Sequence, residues 1–225
     1  MAGLIVLGTY DASPESLFEV DLMRLLARSG VGPSAIVFKT SDGAAKLALN
    51  QPMPVGSDRT VLQVRGFDDR EAVAAIQALQ PDLLVYAGGR DILRAPLLAT
   101  ARLGCIGGHY GLLPKIRGMA TVEWSLMLDV PPTVAVQRIN AGIDTGDVLI
   151  QAKVPLLKGD TFMKIRERSY YITKLLLTIA AKGLMAERLA ARPQERLEGT
   201  QYFRLHPQIH RLAERRLAAR LAAVR

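Results

Sequence analysis

Apolar and polar positions switch between two periods along the first ninety residues. Leu4 to Leu7 is a short apolar run closed by Gly8 and predicts a strand. Asp11, Ser13 and Pro14 supply turn and helix-start chemistry, after which Leu17, Val20, Leu22, Leu25 and Leu26 recur at helical spacing up to Ser29-Gly30. Ala35 to Phe38 and Val61 to Val64 predict two further strands, Arg70 to Leu79 a helix stopped ahead of Pro81, and Leu83 to Ala87 a buried strand. The weakly periodic, Gly- and Pro-containing segment from Ser41 to Asp58 predicts a helix fragment and a loop. Such alternation belongs to βαβ units, so the expected fold is α/β and Rossmann-like: a mostly parallel sheet flanked by helices. Strands are also expected at Gly104 to Ile106, Thr133 to Ile139 and Val148 to Gln151. After Gly183 an Arg- and Ala-rich helical pattern is interrupted by Pro193, Gly199 and Pro207, predicting a domain over 1–183 and a basic helical C-terminal appendage over 184–225. Its last helix, from Pro207 to Arg225, turns Ile209, Leu212, Leu217 and Leu221 toward a groove or a second subunit, so a homodimer is one expectation.

Composition narrows the class. At 225 residues, 49% of them hydrophobic and 22% charged, the chain suits one globular domain with a short appendage. Its longest apolar stretches, Leu4 to Leu7 and Leu175 to Ala181, are far shorter than the roughly 20 residues a membrane span needs. The N-terminal run lacks a basic segment before it and reads as a strand, so no membrane and a cytoplasmic location are expected. The single cysteine, Cys105, lies in a strand-like run and reads as an inert core thiol. The net charge of +8 gathers toward the end of the chain, from Arg188 through Arg192, Arg196, Arg204, Arg211, Arg215, Arg216 and Arg220 to Arg225. Apart from Tyr202 and Phe203 no aromatic residues lie among these arginines, and with no interleaving that suggests base stacking this is read as a solvated helix face and nucleic acid as an unfavoured partner.

Dinucleotide and ATP sites are both disfavoured. The turn after the first strand, Gly8-Thr9-Tyr10-Asp11, lacks the Gly-x-Gly-x-x-Gly spacing, and no Gly-Lys-Ser/Thr loop occurs. Polar chemistry gathers instead in two loops. In the first, a strand opens into Gly107-Gly108-His109-Tyr110-Gly111-Leu112-Leu113-Pro114-Lys115-Ile116-Arg117-Gly118. A histidine at a strand's carboxyl end can pass a proton or hold an oxyanion, or it can simply be a hydrogen-bonded structural residue. In the second, Ala141-Gly142-Ile143-Asp144-Thr145-Gly146-Asp147, Asp144 could orient His109 or take a proton from an attacking amine, or cap a turn as Asp often does. No metal is expected, because His109, His206 and His210 have no paired ligand spacing.

Taken together these loops resemble the formyltransferase family that uses 10-formyltetrahydrofolate. The resemblance runs in order through Pro81-Asp82-Leu83-Leu84-Val85-Tyr86-Ala87-Gly88, Leu103-Gly104-Cys105-Ile106, His109 with Leu112-Leu113-Pro114 and Arg117-Gly118, then Ile139 to Leu149 and Asp160-Thr161. It implies the formyltransferase variant of the Rossmann-like fold and attack of an acceptor nitrogen on a formyl carbon. The resulting oxyanion would be held by His109 and an asparagine amide, with Asp144 assisting proton traffic. It also implies a folate site between Gly88, Gly89, Arg90, Asp91, Ile92 and Leu93 on one side and Ala141, Gly142 and Ile143 on the other. Thr9, Tyr10, Tyr110, Gly111, Arg117 and Glu123 are the expected acceptor-side residues, Glu123 with Trp124 at the mouth.

The chain departs from the family at one position, where Gly107 stands in place of the asparagine two residues before the histidine. Loss of an oxyanion donor costs about 2.7 to 4 kcal/mol, so Gln137, or a backbone amide of Gly107 or Gly108, is expected to compensate. The turn after the first strand does not resemble the phosphate loop of glycinamide ribonucleotide enzymes. The region after Gly183 offers no room for the further β-barrel of the initiator-tRNA enzymes. The expected acceptor is therefore a small amine, of amino-sugar nucleotide or amino acid type. Three other readings stand beside it: a 10-formyltetrahydrofolate hydrolase, a catalytically impaired folate-binding protein, and an RNA-binding module using the basic tail.

Overall fold

The computed structural model describes residues 3–10, 17–40, 60–88, 91–195 and 197–223. The expected helix start at Asp11 to Pro14, the segment 41–58, and Gly89 and Arg90 lie outside the described residues.

Nine strands and six helices are found among the described residues. They are β1 (Leu4–Tyr10), α1 (Leu17–Arg28), β2 (Ala35–Thr40), β3 (Thr60–Val64), α2 (Arg70–Ala78), β4 (Leu83–Tyr86), α3 (Ala95–Leu98), β5 (Cys105–His109), β6 (Ile116–Gly118), α4 (Thr121–Met127), β7 (Thr133–Arg138), β8 (Val148–Lys153), α5 (Phe162–Met185), β9 (Thr200–Tyr202) and α6 (Pro207–Ala222). Seven strands form one sheet in the order β3-β2-β1-β4-β5-β7-β8. The first five run parallel, while β7 pairs antiparallel with both β5 and β8. Their burial explains their composition. Leu4 to Leu7 and Leu83 to Val85 are essentially inaccessible, as strands covered on both faces must be.

One face of the sheet carries a large core shared by α1, α4, α5 and α6, including Leu22, Leu26, Val122, Leu126, Leu177 and Leu217. The other face carries a smaller core around Ile5, Leu7, Ile76, Leu84 and Leu97, covered by α2 and α3. Because β2 lies on one side of β1 and β4 on the other, the winding reverses between β1 and β4. Open α/β sheets bind ligands at the carboxyl ends of strands beside such a reversal.

The region after Gly183 is not uniformly helical. Helix α5 runs on to Met185, the chain then stays irregular, and β9 pairs parallel with β6 in a second, two-stranded sheet. Only α6 matches the expected terminal helix, and it is seated on α4: Ala213 and Leu217 are buried, whereas Ile209 and Leu212 remain exposed. Part of the basic charge is structural. Arg216 donates to the carbonyls of Leu126 and Met127, and Arg220 donates to that of Val130 and pairs with Asp129, so both close the C-terminal end of α4.

Candidate active site

Strand β5 and the hairpin connection between β7 and β8 bring His109 and Asp144 together. His109 is the last residue of β5 and pairs in register with Ala135; two residues earlier, Gly107 pairs with Gln137. The β7–β8 connection is shaped by Asn140, whose Oδ1 accepts from the Gly142 amide at 3.0 Å and from the Thr145 hydroxyl at 2.9 Å. Gly146 presses against the Arg138 carbonyl, where no Cβ fits. Asp144 itself adopts φ +53°, a left-handed conformation uncommon outside glycine.

The carboxylate of Asp144 is fully engaged. Oδ1 lies 3.3 Å from His109 Nδ1 and accepts from Gln137 Nε2 at 2.8 Å, while Oδ2 accepts from the Gly118 amide at 2.9 Å. Burial pushes its pKa up, but the hydrogen bond and charge of His109, the Gly118 amide and the Gln137 amide outweigh that and hold it below the usual carboxylate value. His109 is buried, and its Nε2 lies 2.8 Å from the Ile116 carbonyl oxygen. Each ring nitrogen thus faces an oxygen acceptor, an arrangement that a doubly protonated ring satisfies. Gly111 makes this wrapping possible, since a Cβ there would sit 2.6 Å from Nε2 and 2.8 Å from the Ile116 oxygen.

Gly107 leaves no open space. A Cβ at that position would lie 2.8 Å from Ile139 Cδ1 and 3.2 Å from Cγ1, so an isoleucine side chain fills the room beside the glycine. Gly107 pairs with Tyr86 on one side and Gln137 on the other, which keeps its backbone amide in the sheet. The Gln137 amide is committed to Asp144. Of the three expected replacements for the asparagine, Gln137 is thus committed to Asp144, while Gly107 and Gly108 lie in register within the sheet opposite Gln137 and Val136.

The two expected folate loops flank this site. Gly88, with φ +133°, ends the segment after β4; the Asp91 amide donates to the Tyr86 hydroxyl at 3.2 Å and the Asp91 carboxylate pairs with Lys39. Leu93 is buried, while Ile92 is 61% exposed, and on the opposite loop Ile143 is 43% exposed beside the accessible Ala141 and Gly142. Each loop so presents one apolar side chain outward.

The expected acceptor-side residues do not form one group. Thr9 and Tyr10 end β1, but their side chains lie outside the described residues. Tyr110 packs edge-on against Tyr170 with centroids 5.0 Å apart, and burial pushes its phenol pKa up. Arg117 is buried, donating to Gln194 Oε1 from Nε at 3.2 Å and from Nη2 at 3.1 Å. Glu123 is buried as well and pairs with Arg166 of α5, which places it among the contacts of α4, α5 and α6. Trp124 stacks at a tilt on Tyr202 with centroids 4.7 Å apart, next to exposed Met119 and Phe203. Cys105 is fully buried, its thiol pushed up to about 12 by desolvation. A concavity of about 890 Å³ lies elsewhere, between β3 and α2, where the chain re-enters the described residues.

Gln194 gave no sequence signal: it falls in an irregular stretch without periodicity, joined to the site only by the tertiary fold. Ile139 belongs to the stretch that carries the resemblance, but its packing against Gly107 is seen only in the structure.

Comparison with known proteins shows the family and the fold. The formyl transferase family model matches residues 14–177. The chain is 30% identical over 184 residues to the methionyl-tRNA formyltransferase of Syntrophus aciditrophicus, covering 79% of this chain and 59% of the relative. It is 34% identical over 151 residues to that of Pseudomonas fluorescens Pf-5, covering 67% and 46%. The chain thus spans about half the length of these curated relatives. Among solved structures, a Shewanella sugar N-formyltransferase superposes with TM-score 0.67 at 18% identity, covering 96% of this chain and 87% of that one. Glycinamide ribonucleotide transformylase 1 of Symbiobacterium toebii superposes with TM-score 0.64 at 20% identity, covering 86% and 95%.

Proposed function

The chain belongs to the formyl transferase family, and from that premise we propose that it moves a formyl group from 10-formyltetrahydrofolate to the amine of a small acceptor. The observation that carries this reading is the His109–Asp144 pair, 3.3 Å apart, at the carboxyl end of the sheet and flanked by loops that expose Ile92 and Ile143. An exposed apolar side chain on each loop is the kind of surface against which a flat pterin packs.

In the proposed reaction the uncharged acceptor nitrogen attacks the formyl carbon, a C–N bond forms, and the carbonyl electron pair moves to oxygen. Collapse of this tetrahedral intermediate breaks the bond to N10 of the folate, which takes a proton as the acceptor nitrogen loses one. His109, held between the Ile116 carbonyl and an anionic Asp144, places positive charge next to the developing oxyanion. Asp144, ionised across the working range, keeps that ring oriented and serves as the relay for the amine proton. To donate directly to the oxyanion, the ring has to exchange the Ile116 carbonyl for it. With Gly107 packed by Ile139, the charge of His109 is left without the family's asparagine beside it, and the chemical step is expected to be slow.

An acceptor carrying a nucleotide is favoured by the tilted Trp124–Tyr202 pair, which with exposed Met119 and Phe203 offers an aromatic shelf near Gly118 and hence near Asp144. A structural neighbour, PseJ of Anoxybacillus kamchatkensis, is seen with a UDP-linked 4-formamido sugar and tetrahydrofolate, at 19% identity. The test is turnover of 10-formyltetrahydrofolate against nucleotide-linked amino sugars, free amino acids and methionyl-tRNA. Formylated amino sugar is the expected product. Formate released at the same rate without any amine would mark a hydrolase, and formylation of the charged tRNA alone would move the acceptor to the relatives' substrate.

A further inference from the structure

We propose that Gln194 is a positioning residue for the catalytic carboxylate, reaching the site from the irregular segment between α5 and β9. Gln194 lies beyond residue 177, where the family match ends. Its side-chain amide nonetheless ties together the Asp144 loop, β7 and β6, three of the elements that meet at Asp144. Nε2 donates to the Asp144 carbonyl at 3.1 Å and to the Gly146 carbonyl, and lies 3.4 Å from Gln137 Oε1. On its other side Oε1 accepts both contacts from the Arg117 guanidinium, which also donates to the Glu195 carbonyl at 3.2 Å.

These contacts have a specific consequence. Asp144 sits in a left-handed conformation that aspartate tolerates better than most residues but that still needs support from its surroundings, and Gln194 holds the carbonyl on one side of that residue and the carbonyl two positions on. Gln137, which Gln194 also touches, donates to the Asp144 Oδ1 that faces His109. Arg117 precedes Gly118, whose amide holds Oδ2. One amide group thus braces the loop backbone, the side chain that aligns Oδ1 and the strand that aligns Oδ2. The segment bearing Gln194 is itself anchored on both sides: Arg192 bridges Val148 through paired backbone hydrogen bonds of 2.8 Å, and Gly199 packs against the Pro114 carbonyl. Gln194 has little freedom to drift from its place.

Gln194→Glu separates this role from packing, because it keeps size and the acceptor for Arg117 while replacing the donor with an oxygen aimed at two carbonyls. Two readouts on the full chain test it. The first is the carboxyl 13C titration of Asp144, assigned by its disappearance in Asp144→Asn, and it does not depend on the formyl-transfer reading. We expect the midpoint to move to higher pH in Gln194→Glu and Gln194→Ala, because the hydrogen bonds that hold it low are misaligned, and to stay in place in Leu197→Ala, whose side chain is 96% exposed. The second rests on the proposed function: kcat falls by about tenfold to a hundredfold, the scale of a small misplacement of reacting groups, with KM for the folate nearly unchanged. An unmoved Asp144 midpoint in both Gln194 variants overturns the proposal, even if thermal stability drops. Absent turnover in the unmodified protein with a shifted midpoint overturns formyl transfer and leaves the positioning role standing.

Discussion

Asp144 illustrates how a single residue's environment decides its chemistry. Its carboxyl is partly buried, yet four interactions keep it ionised. Replacing it with asparagine removes the charge that orients His109, and turnover is expected to fall about 10² to 10⁴-fold, the range for a positioned acid or base, with circular dichroism unchanged. A second carboxylate, Asp160, is held low by hydrogen bonds from Arg168 at 2.8 and 2.9 Å and from the Leu157 amide. Both groups have folded pKa values depressed below the unfolded value of about 3.9. Their stabilisation is therefore present above that pH and is lost as pH falls through the folded values. Urea midpoints measured from neutral pH down to the acid limb should drop below about pH 4, and the drop should be shallower in Asp160→Asn. Gly107 gives a third expectation at this scale. Introducing asparagine there drives its Cβ into Ile139, an overpacking cost of about 1 to 3 kcal/mol. Gly107→Asn combined with Ile139→Ala should recover stability relative to Gly107→Asn alone and raise turnover above the unmodified protein. A double-mutant cycle on stability and kcat measures both effects.

At the scale of elements, the sequence was most legible where one period persisted. The alternation of Leu4 to Leu7 with the stripe from Leu17 to Leu26, and the run from Leu83 to Ala87, correspond to β1, α1 and β4, because buried parallel strands and half-buried helices leave distinct patterns. The hairpin flanking Asp144 was equally plain, with strands on both sides of a Gly-containing turn. The long helix α5 was harder to read. Its burial is spread around the cylinder, with Ser169, Thr173 and Thr178 inside and donating their hydroxyls to carbonyls of the preceding turn, so polar letters occupy core positions. Strands β6 and β9 are three residues each, and their pairing depends on 81 residues of intervening chain, which no local pattern encodes. The site divides in the same way. His109 and Asp144 stood out by residue type and loop setting, and their approach is what the fold supplies. Arg117 and Glu123 are expected on the acceptor side from their place in and just after the histidine loop, and each is buried with an internal partner, Gln194 and Arg166.

At the scale of the whole molecule, the residues after Gly183 complete the core instead of trailing from it. Leu217 is buried in the same cluster as Val122 and Leu126, and His210 lies 3.7 Å from the buried Glu123 carboxylate. Leu217→Ala should cost about 2 to 5 kcal/mol, read as a lowered urea midpoint with the slope retained, whereas Leu212→Ala on the exposed side of α6 should change it by less than about 0.5 kcal/mol. The expected appendage after residue 183 is packed on the domain through α4 and the shared core.

The two-stranded sheet of β6 and β9 has a practical corollary. Leu197 stands almost wholly in solvent, between the Arg192 bridge and the strand at Thr200–Tyr202. A protease that severs the chain there leaves a short piece gripped by strand pairing, by the Trp124 indole donating to the Phe203 carbonyl at 2.8 Å, and by the seat of α6. Clipped material should migrate as one species on a native gel and as two bands once denatured, like a ribonuclease-style complex of fragments. Such a nick turns the C-terminal piece into an exchangeable subunit, through which altered helices could be introduced by mixing.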